Sequence, residues 1–390
     1  MNSSKKLLYL ANLRLPTEKA YGIQIAQMCE AFALLGRDVE LVAPHRRSSI
    51  KEDFFAYYGV KNNFRFQTIS APDFYLFGRL NIIALGIKNF ISAIRLSRYA
   101  LYQRPDVFYS RDELIVFILS FFTDCRKLIF EAHKFSSARK LFYTRFKNKN
   151  IKTIVITHRL KEDFIRNGFK SENIMVAPDG VDIDKFNIVL SKEEARKKVG
   201  LPTEGNIVMY TGHLFAWKGA NVLLEVARNF QFPIINFQNT KEVLFVFVGG
   251  TLANIQDFKN KASNLNNVYV VGHKLHREIP IFLKAADVLV LPNSAKEEIS
   301  RAHTSPLKLF EYMASGRPIV ASNLPALREI LNENNSILVE PNSAESLSEG
   351  IRKVLENNVL AGQIGAQGFQ DVQKYTWQAR AQKILTYLGF

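Results

Sequence analysis

At 390 residues, 47% of them apolar, the chain is long enough for two α/β domains and has material for two cores. Its two cysteines, Cys29 and Cys125, stand in no metal or redox spacing, which excludes a disulfide scaffold and fits a reducing compartment. The formal charge of +16 is uneven: residues 1–180 hold 29 of the 52 Lys and Arg but only 16 of the 36 Asp and Glu, so +13 of it lies there. This composition break near residue 180 fits two domains with different partners. It is either a solvated basic surface of a Lys-, Asn- and Phe-rich protein or an attraction to a polyanion: a lipid diphosphate, an anionic leaflet or nucleic acid. No signal-peptide pattern follows Lys5-Lys6, and the longest uncharged apolar run, Leu114–Thr123, is too short to cross a bilayer. The expectation is a soluble, cytoplasmic protein.

The chain opens with an apolar strand at 7–11, a loop at 12–19, a helix over about 20–35 ended by Gly36, and a strand at 39–43. This is a βαβ opening. Strands are expected at 64–69, 106–109, 127–131, 152–156 and 173–176, with helices between them. The helix over about 80–102 sets Arg79, Lys88, Arg95 and Arg98 beside a row of Ile, Leu and Phe. Such a basic amphipathic helix can lie on a membrane surface, or it can be a core helix with one wet face. Pro178-Asp179-Gly180 breaks the alternation and begins a stretch read as irregular to about Glu204. A second α/β run follows, with strands at 206–211, 243–248, 267–271, 287–291, 318–321 and 335–339. Helices fall at about 220–229, 276–286, 305–315, 325–332 and 344–357, and two more close the chain at 359–374 and 377–389. Short apolar strands alternating with helices predict parallel sheets, which bind ligands beyond the carboxyl ends of their strands.

Three loops after strands of the second half are chemically informative. In 210–219, Gly212 and Gly219 bracket His213 and Lys218 just before a helix, a way to hold phosphate against amides and an ammonium. Gly249 and Gly250 leave room for a ligand or a neighbouring backbone. The stretch 303–321 reads as loop, buried helix, stop and strand. Ser305 is a good N-cap, Pro306 suits the first helical position, Gly316 can take the left-handed end, and Pro318 forbids continuation. The amides at Ser305, Leu307 and Lys308 make a phosphate seat, and one carboxylate, Glu311, sits on the apolar helix. Glu311 either accepts from a ribose or pairs with Lys308 three residues earlier.

Read together, the motifs TGHLFAWKG at 211–219, FVGG at 247–250, VGH at 271–273, ADVLVLP at 286–292, TSPLKLFEYMASGRPIVAS at 304–322 and LREIL at 327–331 resemble the retaining glycosyltransferases of family 4, of the GT-B fold. FEAHKF at 130–135, ITHRLKEDF at 156–164 and APDGVDIDKF at 177–186 extend the likeness into the first half. The resemblance implies an α/β protein with two Rossmann-like parallel-sheet domains facing an interdomain cleft. Residues 1–180 would bind the acceptor, 187–376 the nucleotide-sugar donor, and the helix 377–390 would pack back on the first domain. It implies that Glu311 accepts from the donor ribose, that Lys218 neutralises the diphosphate, and that His133 lies near the reacting sugar. Gly212, His213, Gly249, Gly250, His303, Ser305, Pro306, Leu307 and Lys308 would complete the donor side, with Tyr21 and Gly22 on the acceptor side. Arg111, which follows a strand, either touches the acceptor or hinge or forms an ion pair with Asp112 at a helix start.

The chain departs from that pattern in three places. The first glutamate of the E-x7-E signature falls on His303, with Glu297 or Glu298 as alternatives; His213 occupies the place of an arginine; and the usual glycine pair of the first loop appears only as Tyr21-Gly22. Asp182-Ile-Asp184 lies in the connection and is assigned no metal. The implied reaction moves a sugar from a nucleoside diphosphate to a hydroxyl of a glycan or polyprenyl-diphosphate-linked acceptor, with no cofactor and no metal. Contact with an anionic membrane is a further expectation, and nucleic acid is not expected as a partner. A nucleotide-sugar epimerase of the same fold, or a non-enzymatic module binding nucleotide-sugars or polyanions, are the competing readings.

Overall fold

A computed structural model describes residues 5–78, 80–230 and 242–389. The chain divides into two compact units, one formed by Met1–Pro178 with Trp377–Phe390 and the other by Asp179–Thr376. Arg79, one of the basic residues read on the amphipathic helix, lies outside the described residues.

Unit 1 contains the strands β1 (Lys6–Leu10), β2 (Asp38–Pro44), β3 (Arg65–Ile69), β4 (Val107–Ser110), β5 (Leu128–Ala132), β6 (Lys152–Val155) and β7 (Ile174–Val176). They form a seven-stranded sheet in the order β3-β2-β1-β4-β5-β6-β7, every pairing parallel. Its central strands β4 and β5 are buried at every residue, as in a sheet covered on both faces, and are apolar apart from Tyr109, Ser110 and Glu131. The sheet order reverses between β1 and β4, so loops after these two strands diverge and leave a crevice at their carboxyl ends. The helix Leu80–Gln103 buries Ala93, Leu96 and Ala100 in the core of this unit. At 24 residues it would extend about 36 Å. By length and composition it is able to cross a membrane, which corrects the expectation that no segment is.

The helix Trp377–Leu388 belongs to unit 1 and packs on the helix Ala20–Leu34. Arg380 fastens it there: the guanidinium is buried, donates to the carbonyls of Ala177 and Pro178 at 3.2 and 3.0 Å, and reaches Oε1 of the wholly buried Glu131 at 3.0 Å.

Unit 2 repeats the topology with β8 (Asn206–Thr211), β9 (Val243–Val248), β10 (Val268–Gly272), β11 (Val288–Leu291), β12 (Ile319–Ser322) and β13 (Ile337–Val339), in the order β10-β9-β8-β11-β12-β13 and again all parallel. The switch point here lies between β8 and β11. Apolar clusters fill both faces, one under Leu309, Phe310 and Met313, the other under Leu223, Phe247 and Ile351. The stretch 178–204, read as irregular, contains the helices Ile183–Phe186 and Lys192–Val199. The second has a reciprocal capping box between Ser191 and Glu194 and ends on left-handed Gly200. That Ser-x-x-Glu signature was present in the sequence, but a mostly charged helix with a small apolar face offers little periodicity to detect.

Removing the Arg380 charge would leave Glu131 buried without its ion partner, which costs about 3–5 kcal/mol. An Arg380→Met variant is therefore expected to unfold unit 1 at lower denaturant than the parent, measured by urea titration, with the unfolding of unit 2 unchanged.

Candidate functional site

In unit 2 the carboxyl end of the sheet is built from the loops after β8, β9 and β11. Gly212 donates its amide to Val248 O at 2.8 Å, and Gly249 donates to Gly272 O at 2.7 Å. A Cβ on Gly249 would collide with the backbone of Gly212, and one on Gly219 would collide with the carbonyl of Pro292. These two glycines thus serve close backbone packing of neighbouring loops, which for Gly249 is one of the two uses read from the sequence, whereas Gly219 was read as part of a phosphate loop. Beyond Gly212, the rings of His213, Phe215 and Trp217 stack in series, with centroids 5.0 and 6.5 Å apart. Lys218 Nζ lies 5.2 Å from the Trp217 ring centroid.

The helix Leu307–Ala314 enters beneath these loops with all eight of its residues buried. Tyr312 anchors it, accepting from the Thr211 amide at 2.8 Å with its hydroxyl. The helix start differs from expectation. Pro306 is the N-cap and contributes no side-chain bond, while the Ser305 hydroxyl accepts from the Asp179 amide at 2.9 Å, so Ser305 ties the entry of the unit to this helix instead of capping it.

Lys308 and Glu311 lie one turn apart but do not pair. The Lys308 ammonium sits 3.9 Å above the Tyr210 ring and has no hydrogen-bond partner among the described residues. Burial, with Lys218 adding to it, pushes its pKa well below the ordinary lysine value, against the pull of Glu311. Burial also lowers Lys218, to about 8, again opposed by Glu311. Glu311 meets His276 instead, with 2.7 Å between Oε1 and Nε2. His276 comes from the turn after β10 and was not selected from the sequence, where it showed no ligand spacing. Asn293, just after β11, was also missed; its side-chain oxygen is buried without a partner among the described residues. The only sequence signal for it was position at a strand's carboxyl end.

Two lysines thus lie near one carboxylate in unit 2, beside the glycine loops. A buried amine without a partner is costly, and an anion such as a diphosphate is the kind of ligand that satisfies it. His303 is buried just before the helix, whereas Glu297 and Glu298 are exposed; a Glu298 oxygen comes within 4.8 Å of a His303 ring nitrogen. Asp182 of the D-x-D pair forms an ion pair with Lys185 at 2.9 Å.

In unit 1, Glu131 is the hub. Its Oε1 accepts from Gln24 at 2.7 Å and Arg380 at 3.0 Å and lies 2.6 Å from His133 Nε2, while Oε2 accepts from the Tyr109 hydroxyl. Although burial opposes it, Arg380 and these donors hold the Glu131 carboxyl well below the usual range. Burial and the nearby Arg111 lower His133 to about 4, against the attraction of Glu131. His133 is therefore neutral near pH 7. With its Nε2–H donated to Glu131, Nδ1 is left as an acceptor. Arg111 donates to Gln24 at 2.8 Å, and Asp112 caps the following helix, so these two neighbours do not form the ion pair read from their order. A Cβ on Gly22 would strike the Tyr58 hydroxyl, so this glycine serves helix packing; Tyr21 is half-buried beside it, 6.0 Å from the Lys19 ammonium.

Residues 191–371, all within unit 2, match the model of a family described as Glycosyl transferases group 1. A putative teichuronic acid biosynthesis glycosyltransferase, TuaC, of Bacillus subtilis is 24% identical over 222 residues, 56% of this chain and 51% of that protein. The Escherichia coli UDP-Gal:alpha-D-GlcNAc-diphosphoundecaprenol alpha-1,3-galactosyltransferase is 30% identical over 194 residues, 48% of this chain and 46% of its own length. The chain spans about half the length of the curated relatives it matches. Among solved structures, Anabaena Alr3699/HepE in complex with UDP and glucose superposes with a TM-score of 0.74 at 18% identity, covering 99% of both chains. Sucrose-phosphate synthase from Thermosynechococcus elongatus gives 0.75 at 18% identity, covering 98% of both. The two all-parallel, Rossmann-like units are thus those of the GT-B fold.

The unpartnered Lys308 amine sets up an opposition of stability and anion binding. Replacing Lys308 by Met is expected to stabilise the ligand-free protein by about 1–3 kcal/mol in denaturant titrations, the penalty of a buried unsatisfied group, while weakening the binding of a diphosphate probe by calorimetry. Because burial lowers Lys218 to about 8, the affinity for that probe is expected to fall as pH rises through that value. A Lys218→Arg variant, which stays charged, should lose that dependence.

Proposed function

We propose that this protein is a retaining glycosyltransferase of family 4. It transfers a sugar from a nucleoside-diphosphate sugar held by unit 2 to a hydroxyl of a glycan or lipid-linked acceptor held by unit 1. The observation that carries the reading is the Lys218, Lys308 and Glu311 cluster at the carboxyl end of the unit 2 sheet, where two lysines and one carboxylate meet and the buried Lys308 amine has no hydrogen-bond partner among the described residues.

In this reading the diphosphate lies against Lys218 and Lys308, and the Gly212 loop leaves its backbone open to it. Negative charge grows on the leaving diphosphate as the sugar–oxygen bond breaks, and a fixed ammonium stabilises that charge without reorganising. Glu311 accepts from the ribose hydroxyls, and His276 holds one of its oxygens in place so that the other faces the ligand. His133, neutral and oriented by Glu131, offers Nδ1 to a hydroxyl of the sugar or acceptor. No carboxylate nucleophile is needed if the departing phosphate assists the incoming hydroxyl from the same face, which retains configuration. Because the two lysines supply the charge, we assign no metal and no cofactor.

Two observations support the acceptor reading. The E. coli galactosyltransferase is named for a diphosphoundecaprenol-linked acceptor, and the basic first half of this chain suits a diphosphate-bearing lipid. In this reading the protein works in the cytoplasm, against the inner face of the membrane.

A panel of nucleotide-sugars tested for thermal stabilisation and for release of nucleoside diphosphate provides the test. One donor should stabilise the parent and be turned over with an acceptor present, and Lys218→Ala should lower kcat/KM by about 10²–10³-fold. Glu311→Ala should raise KM for the same donor. Conversion of the sugar without any acceptor would instead make the protein an epimerase. Donor binding with no chemistry under any condition would make it a binding module.

A further inference from the structure

Unit 1 carries an apolar surface that its own fold does not cover. Residues 74–78 and 80–90 place Tyr75, Phe77, Leu80, Ile82, Ile83 and Phe90 in solvent, with Phe77 97% and Ile82 74% exposed. In the helix Leu80–Gln103 the first three turns are exposed nearly all round, apart from Ala84 and Lys88, while the later turns pack into the core. The projecting end is built, not frayed. Asp73 at its base pairs with Lys88 at 3.2 Å and Arg46 at 3.8 Å, and accepts from the Arg47 amide at 2.7 Å. Lys88 also lies 3.8 Å over the Tyr75 ring. A contiguous exposed apolar patch of this kind marks an interaction site.

The surrounding charge has one sign. No acidic residue occurs between Asp73 and Asp106, while exposed Arg47, Arg95 and Arg98 flank the segment. A second copy of the chain meeting this face through a two-fold axis would set those arginines against each other. An anionic bilayer satisfies both features, taking the apolar side chains below the headgroups and the arginines among them. A full crossing is disfavoured because it would withdraw Ala93, Leu96 and Ala100 from the core.

We propose that the segment 74–90 is a membrane-docking ridge, through which unit 1 inserts shallowly into an anionic lipid surface. The proposal stands on exposure and charge alone and does not rest on the transferase reading.

Co-sedimentation of the full chain with phosphatidylcholine vesicles, with and without phosphatidylglycerol, tests it. Binding should be at least about tenfold tighter with the anionic lipid and should weaken with added NaCl. It should fall by about tenfold or more in a Phe77→Ser/Ile82→Ser/Ile83→Ser variant and in a separate Arg47→Glu/Arg98→Glu variant, both folded by circular dichroism and both still stabilised by UDP to the same extent as the parent. Absence of vesicle binding, or equal binding to neutral vesicles, would overturn the proposal. So would a concentration-dependent dimer in ultracentrifugation that the triple variant abolishes, because the face would then belong to a second copy. Vesicle binding by a chain that turns over no donor would uphold this proposal while removing the transferase reading.

Discussion

An eight-residue helix, Leu307–Ala314, is buried along its whole length and still carries an ammonium and a carboxylate. The chemistry of unit 2 depends on how that burden is met. The two charges sit one turn apart and could have cancelled, yet Glu311 turns to His276 and Lys308 is left against the Tyr210 ring. The result is a helix whose position is fixed by apolar packing and by Tyr312, and whose Lys308 amine is left without a hydrogen-bond partner among the described residues. Such an unsatisfied buried group is destabilising.

Unit 1 answers the same problem differently. Glu131 is as deeply buried, but its charge is fully met by Arg380, Gln24, Tyr109 and His133. A satisfied network of this kind rigidifies what it touches. It holds His133 in one orientation and fastens the C-terminal helix beside Ala177 and Pro178. Completion of the network from within makes unit 1 a fixed frame at this point. Incompletion makes unit 2 receptive.

Much of the fold was legible locally. Strand and helix positions followed from apolar runs and periodicity, and most ends fell within two residues of expectation because glycines and prolines mark them. The charged helix Lys192–Val199 escaped, since it depends on capping more than on an apolar face. Ser305 was read as a cap because Ser before Pro is a common helix start, but its hydroxyl is engaged by Asp179, 126 positions earlier in the chain. The role of Gly249 was open between ligand approach and packing, and the backbone facing it shows packing; Gly22, placed on the acceptor side by the resemblance, faces the Tyr58 side chain.

By itself the sequence determined two runs of alternating strand and helix, the glycine loops at strand ends, the uneven charge, and the placing of Lys218 and Glu311 after strands where ligands bind. Only the tertiary structure decided which charges meet. Glu311 and His276 are 35 positions apart and Glu131 and Arg380 are 249 apart, and their pairing follows from sheet order and helix packing, which no local pattern records. It also decided that the first turns of the helix Leu80–Gln103 face solvent while its last turns face the core. An amphipathic sequence specifies that one face is apolar; what covers that face depends on where the rest of the chain is already packed.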